Sequence, residues 1–118
     1  MDKFLRVNVE NMTATAEPVA EKYAKVGGRS LIAKLLLDEV KPTCEPLGRH
    51  NKLIFATGLL AGTGGSSVSR ISIGAKSPLT GGIKESNSGG VSVDQLARLG
   101  IKAVIIEGAP KDWHLLRL

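Results

Sequence analysis

The sequence predicts an α+β domain in which a mostly antiparallel β-sheet carries two or three short helices. Apolar and polar residues alternate over residues 4–9, the period of a half-buried strand. A short apolar run at residues 53–57 lies between turn residues, which is typical of a buried strand. Apolar residues within 30–40 recur instead with helical spacing. With 118 residues, the chain is expected to form a single domain, or a fragment of one, covering 1–118.

The beginning of the chain is predicted to form a hairpin followed by a helix. A turn at residues 10–12 would join the first strand to a second short one. A helix is expected from Glu17 to about Val26, because proline is tolerated in a first helical turn, as at Pro18. The glycine pair at 27–28 would end this helix.

A second helix is predicted over residues 30–40. The Ser30 hydroxyl is suited to cap its first turn. The helix is expected to end at Lys41, because the residue before a proline, here Pro42, avoids the helical region.

The second half of the chain is predicted to alternate between strands and glycine-rich turns. The expected strands are residues 53–57, 71–75, 102–107 and 113–118. The expected turns are 58–70, 77–82 and 87–90, and a last helix at 92–99 ends at Gly100.

The composition excludes several classes of protein. With 42% apolar and 23% charged residues, the chain is not expected to be disordered. The longest uncharged run, residues 53–69, is interrupted by glycines and too short to cross a membrane. The charged N-terminus lacks the apolar stretch of a signal peptide. The single cysteine, Cys44, excludes an intrachain disulfide and a cysteine cluster for zinc or iron–sulfur, and favours a cytoplasmic location.

The positive charge of the chain is concentrated in its glycine-rich middle. The net charge is +5, and residues 40–84 contain six basic side chains and a single acid, Glu45. This pattern favours an anionic partner, although a solvated face is the alternative interpretation. Nucleic acid is not expected, because aromatic residues are 3% of the chain and none lies among the glycines and bases as a stacking platform would.

The glycine-rich loops match no nucleotide-binding motif. Ser67 stands where a G-x-G-x-x-G motif would need its third glycine after Gly62 and Gly64. Arg70 and Ala75 occupy the positions where a Walker motif would need glycines.

Each of the two glycine-rich loops nevertheless carries a side chain suited to anions. Arg70 follows the first loop and Asn87 lies in the second. Free N–H groups of glycine-rich backbone bind oxyanions, and an arginine fork binds phosphate through two hydrogen bonds. The alternative is that these glycines only form hairpin turns.

No nucleophile or acid–base pair is apparent among the other candidates, which are Cys44, His50, Glu85, Glu107 and His114.

A series of short motifs runs along almost the whole chain. In order, these are residues 4–8 (FLRVN), 27–32 (GGRSLI), 51–54 (NKLI), 58–63 (GLLAGT), Arg70, 76–81 (KSPLTG), 87–90 (NSGG) and 100–108. The most specific part is KSPLTG followed six residues later by NSGG. In these motifs and their order, the sequence resembles the N-terminal region of the tungsten-containing aldehyde:ferredoxin oxidoreductases.

This resemblance implies a function and a site. In the family, this region belongs to a β-rich base that seats tungsten held by two pterin dithiolenes (tungstopterin, or molybdopterin with molybdenum), and magnesium links the pterin phosphates. Arg70 matches the family arginine that contacts the pterin. Asn87 matches the asparagine at the pterin and magnesium site, and Gly89 matches a backbone contact beside it. The implied cofactor-binding residues are therefore Arg70, Asn87 and Gly89, with Asn87 also at the magnesium; no catalytic residue is implied.

The resemblance also implies what lies outside these residues. The [4Fe–4S] cysteines and the acid–base residues of the family come later in the chain, so these 118 residues alone are expected to be inactive. The rest of the oxidoreductase polypeptide or a partner subunit would supply them, and ferredoxin would accept electrons from aldehyde oxidation to acid. The alternative is a non-catalytic module of the same fold that recognises another phosphorylated ligand or a protein.

A homo-oligomer is also expected. If residues 113–118 formed a strand, its open edge would be a template for a second chain.

Overall fold

The computed structural model describes residues 2–118, which form one six-stranded sheet and two α-helices. The strands are β1 (Lys3–Asn8), β2 (Thr13–Pro18), β3 (Lys52–Thr57), β4 (Arg70–Lys76), β5 (Ile83–Gly89) and β6 (Ile101–Glu107). The helices are α1 (Gly28–Glu39) and α2 (Ser92–Arg98), and a 3-10 turn lies at Glu21–Tyr23. The strand order is β2-β1-β6-β3-β4-β5.

The predicted α+β class and the mostly antiparallel sheet are confirmed. The pairs β1–β2, β3–β6, β3–β4 and β4–β5 are antiparallel, and only β1 and β6 run parallel. The hairpin at the start of the chain forms as predicted, with Met12 at a φ of 56° in its turn. No helix in the described residues 2–118 is long and apolar enough to cross a membrane.

The main core lies between α1 and one face of the sheet. Leu31, Ile32 and Leu35 of α1 are fully buried against Ile54 and Ile105 of the sheet. The helix α1 lies close to β4 at Gly74, where an added Cβ would lie 2.6 Å from Cγ2 of Ile32. This close packing fixes the position of α1 over β3 and β4.

A smaller apolar cluster lies on the opposite face of the sheet. Val7, Ile101 and Val104 are buried there, and Leu96 of α2 packs against them. The helix α2 covers only part of this face.

Three predicted elements are wrong. The helix expected from Glu17 to Val26 is instead the end of β2 and the 3-10 turn, because residues 13–18 pair with β1. The turn expected at 87–90 is mostly strand, since β5 extends to Gly89 and pairs along β4. The strand expected at 113–118 does not form: these residues lack regular structure and pair with no strand of the described chain.

Candidate anion-binding site at the start of helix α1

The predicted site residues meet at one end of the β4–β5 pair. Arg70 begins β4 and lies opposite Gly89, the last residue of β5. Two residues further along, Ser72 lies opposite Asn87. Because side chains alternate along a strand, these positions face the same side of the sheet, which is the side covered by α1.

Hydrogen bonds hold the arginine and the asparagine together. Nε of Arg70 donates to Oδ1 of Asn87 over 2.6 Å. Nδ2 of Asn87 donates to Oγ of Ser72 over 3.2 Å. Ser72 is buried, whereas Arg70 and Asn87 are exposed. The serine therefore orients the asparagine, which in turn orients an accessible guanidinium.

Gly89 leaves the space that the Arg70 side chain occupies. A Cβ added at Gly89 would lie 2.9 Å from Nη1 of Arg70. A larger residue at position 89 would displace the guanidinium. The structure thus brings Arg70, Asn87 and Gly89 together, and their contacts with a pterin stay a prediction.

The first turn of α1 forms the other side of the site. Gly27 precedes the helix so close to the end of β3 that an added Cβ would lie 2.8 Å from the backbone N of Leu59. Gly28 has a φ of +55°, a conformation that favours glycine. No side chain caps this helix, so the predicted cap by Ser30 is wrong. The first N–H groups of a helix have no partner within it and favour anions.

These elements enclose a shallow cavity of about 440 Å³. Its lining consists of Gly27, Gly28, Arg29, Ser30, Gly58, Arg70, Ser72, Glu85 and Asn87. Neither arginine is in an ion pair within the described residues 2–118. Two cations and one carboxylate give the cavity a positive balance, and the arrangement is suited to binding an anion rather than to acid–base chemistry.

Ser72, Glu85 and the glycine pair at 27–28 also line this cavity, although the sequence patterns do not predict them as parts of the site. The glycine pair is predicted to end a helix, whereas in the structure it begins one. Recognising β5 as a strand would have revealed Glu85, because it lies two residues before Asn87 and shares its face.

Three of the six basic residues in the middle of the chain (residues 40–84) are bound within the fold. Arg49 pairs with Glu10, and Lys52 pairs with Glu39 and Glu107. Nζ of Lys76 donates to the carbonyls of Pro42 and Cys44. Of the six basic residues in this segment, Arg70 alone lines the candidate site.

A second charged cluster lies at the other end of the sheet. Arg6 bonds to Glu17, Glu39 and Glu107, and Lys52 bonds to the last two of these carboxylates over 2.8 Å each. Burial opposes ionisation of Glu39, but hydrogen bonds from Arg6 and Lys52 outweigh it and lower the pKa of the carboxyl. Burial likewise opposes the charge on Lys52, yet the two carboxylates raise its pKa overall. The network therefore ties β1, β3 and β6 to the end of α1.

The larger cavity beside this network, of about 570 Å³, brings Cys44 and His50 to one lining. No group of three or more His, Cys, Asp or Glu side chains able to hold a metal ion occurs in the part of the chain that the structure describes. The charges around this cavity are mostly neutralised by one another, so it lacks the positive balance of the site at α1.

The family profile described as "Aldehyde ferredoxin oxidoreductase, N-terminal domain" matches residues 4–118. The chain belongs to this family. The match covers the site at α1 and the network at the other end of the sheet alike.

The chain is also similar to part of longer proteins that are named tungsten-containing aldehyde ferredoxin oxidoreductases. The chain is 42% identical over 108 residues to a tungsten-containing aldehyde ferredoxin oxidoreductase of Pyrococcus furiosus. It is 41% identical over 108 residues to the enzyme of that name in Thermococcus kodakarensis. In both comparisons the match covers 90% of this chain but only 18% of the relative. The domain therefore corresponds to a small part of a larger oxidoreductase polypeptide.

A solved structure confirms the fold. The active-site complex BamBC of benzoyl coenzyme A reductase, in complex with 1,5-dienoyl-CoA, superposes with a TM-score of 0.88 and 29% identity. The superposition covers 93% of this chain and 17% of that chain.

Proposed function

We propose that this domain binds a tungstopterin within an aldehyde ferredoxin oxidoreductase. Arg70, Asn87 and Gly89 would contact the pterin, and the first turn of α1 would face an anionic group. The observation that carries the proposal is the bonded pair of Arg70 and Asn87, which lies over Gly89 at the edge of the α1 cavity. The tungsten-containing relatives support the same assignment.

The chemistry of the residues present fits such a cofactor. An arginine fork donates two parallel hydrogen bonds to a phosphate or a planar polar ring. The Arg70 guanidinium fills the space above Gly89. This packing holds the guanidinium in place and leaves the cavity open. The bound group would supply the redox chemistry, and this domain would supply binding and orientation.

Magnesium is part of this proposal. Asn87, with Glu85 on the same wall of the cavity, presents oxygen atoms of the class that magnesium prefers. Two such side chains do not complete a coordination shell, so phosphate oxygens of the ligand would have to complete it.

The activity of the whole protein follows from the same proposal. The full polypeptide would oxidise an aldehyde to an acid and pass electrons through an iron–sulfur cluster to ferredoxin. The cluster ligands and the acid–base residues would come from the remainder of that polypeptide or from a partner subunit. The cytoplasmic location and the homo-oligomer stay predictions. The open strand edge expected at residues 113–118 no longer supports the oligomer, because these residues form no strand.

Arg70→Ala tests the assignment in a full-length oxidoreductase that carries this domain. Loss of a hydrogen bond to a charged group costs about 1.5–3 kcal/mol, so we expect roughly ten- to 150-fold weaker retention of cofactor. Tungsten per protein by mass spectrometry, together with pterin fluorescence after oxidative release, measures it.

Two variants control this experiment. Arg70→Lys keeps the charge but not the fork and should lie between wild type and Arg70→Ala. Arg98→Ala removes an exposed arginine of α2 and should retain full tungsten. A normal tungsten content in Arg70→Ala would reject the site. Phosphate binding without metal or pterin in the wild-type protein would favour the non-catalytic module.

A further inference from the structure

The sheet face opposite α1 is almost free of charge. Strand pairing places Phe55 opposite both Ile73 and Val104, and Leu53 opposite Ile106. Leu5 of β1 lies opposite Val104 on the other side of β6. These six apolar side chains, which we call the open face, run across four neighbouring strands. The one charged residue at the matching positions of β5 is Lys84.

Only part of the open face is covered. Leu96 of α2 packs near Val104, which is 1% exposed. Leu53 remains 41% exposed, and Leu5, Phe55, Ile73 and Ile106 are half-buried. Two shallow cavities of about 360 and 370 Å³ lie against this face, and Leu53 and Ala75 line both.

A sheet that is apolar on both faces is the middle layer of a larger packing arrangement. Each apolar face must be buried against another element, and a polar face needs no cover. Contiguous exposed apolar surface of this kind marks an interface. The near absence of charge excludes a nucleic acid or a highly charged peptide as the partner.

We propose that the open face is the docking surface for the remainder of a full-length aldehyde ferredoxin oxidoreductase polypeptide. The matched relatives extend well beyond this domain, which covers 18% of their length. Residues 109–118, which follow β6, run beside the open face: Trp113 lines a cavity together with Val9 and Ile106. Trp113 and Leu115 are exposed, as expected of a segment that leads into a further apolar layer.

The proposal concerns a different surface from the cofactor site. Arg70 and Asn87 lie on the α1 side of the sheet, whereas the open face lies on the other side. Arg70→Ala is therefore expected to leave docking intact, so the failure of one proposal is distinguishable from the failure of the other.

Cysteine footprinting in a full-length chimera tests the docking surface. The chain replaces the matching segment of the Pyrococcus furiosus relative, and Leu53→Cys is introduced in a Cys44→Ser background. Maleimide labelling at position 53, read by peptide mass spectrometry, is compared with labelling of the same variant in the isolated chain at low concentration. Leu37→Cys, on the outer side of α1 and 73% exposed, is the matched control.

We expect the labelling rate at position 53 to be at least about tenfold lower in the chimera than in the isolated chain, because a buried thiol reacts only after local opening. The labelling rate at position 37 should fall by less. The proposal is overturned if the labelling rate falls equally at both positions, or if it does not fall at position 53. Protection at position 53 that disappears on dilution identifies a second copy as the occupant and also overturns it.

A measurement on the isolated chain keeps the proposal testable if the chimera does not fold. The chain should bind an apolar fluorescent dye, and Leu53→Lys with Ile73→Lys should remove about half or more of the signal. Leu37→Lys with Leu99→Lys, at two exposed leucines outside the open face, should not. Absence of dye binding by the wild-type chain, or an equal loss in both double variants, contradicts an open apolar face.

Discussion

At the scale of single residues, the candidate site depends on one side chain that is oriented by its neighbours. The Arg70 guanidinium is accessible, but Asn87 and the space above Gly89 fix its direction. A preoriented arginine loses less conformational entropy when it binds an anion than a free one does. The binding strength of the site is therefore expected to depend on Asn87 and Gly89 through the direction that they give to Arg70, and not only through contacts of their own with the ligand.

Gly89→Ala tests this dependence. The added methyl group would lie 2.9 Å from Nη1 of Arg70, and the flexible arginine can move away at little cost to folding. We expect a change in the free energy of unfolding within about 0.5 kcal/mol, but a several-fold loss of tungsten in the full-length protein. Gly82→Ala, whose Cβ would have 3.8 Å to its nearest neighbour, should change neither quantity. Full tungsten in Gly89→Ala would mean that the arginine position is unimportant.

Glu39 makes folding stability depend on pH. Its pKa is lower in the folded protein than the ordinary value of 4.5, because hydrogen bonds from Arg6 and Lys52 outweigh the effect of burial. A lowered carboxyl pKa stabilises the folded state above the ordinary pKa, and this contribution is lost as the pH falls through the folded pKa. The stabilisation is thus present at neutral pH and disappears in acid.

Glu39→Gln is expected to lower the free energy of unfolding by about 1.5–3 kcal/mol at pH 7, the cost of losing hydrogen bonds to a charged group. The difference from wild type should shrink below the ordinary carboxyl pKa of 4.5. Urea unfolding at several pH values measures it, with Glu21→Gln as an exposed acid outside the network. A difference that is constant down to pH 3 (roughly one unit below an ordinary carboxyl pKa) would contradict the assigned role.

At the scale of elements, the position of α1 depends on the absence of a side chain on β4. A Cβ at Gly74 would lie 2.6 Å from Cγ2 of Ile32 and 3.0 Å from the carbonyl oxygen of Lys84. Neither neighbour can easily move, because Ile32 is fully buried and the carbonyl belongs to a paired strand. The helix consequently lies close enough to the sheet for its first turn to border the site.

We expect Gly74→Ala to lower the free energy of unfolding by about 1–3 kcal/mol through overpacking. Thermal and denaturant unfolding of the 118-residue chain measure the effect, again with Gly82→Ala as the neutral glycine substitution. Unchanged stability would show that α1 tolerates a larger separation from β4.

At the scale of the whole molecule, these 118 residues contain too few cysteines for an electron-transfer cluster of their own. A [4Fe–4S] cluster takes four thiolates, and Cys44 is the single cysteine. After anaerobic reconstitution we expect no stoichiometric iron or acid-labile sulfide, and no aldehyde-dependent reduction of a viologen dye. Iron and sulfide bound in fixed ratio to the protein would mean that several copies share Cys44.

Local patterns in the sequence predicted the elements whose conformation depends mainly on their own residues. The apolar spacing in α1, the alternation in β1 and the apolar run in β3 led to nearly the right boundaries. The site residues Arg70, Asn87 and Gly89 were named from the family resemblance, and Arg70 and Asn87 also from the glycine-rich loops that contain them. The sequence by itself thus determined the fold class and singled out these residues as candidates for the site.

The tertiary structure alone decided the elements that are formed by pairing. Residues 13–18 are a strand because they hydrogen-bond to β1, although Glu17 and Pro18 favour the start of a helix. The polar segment β5 is a strand because β4 pairs with it along its whole length. The apolar residues 113–118 do not form a strand, because no strand of the described chain pairs with them. The site at α1 and the open face arise in the same way, since strand register decides which side chains share a face and no local pattern encodes the partner.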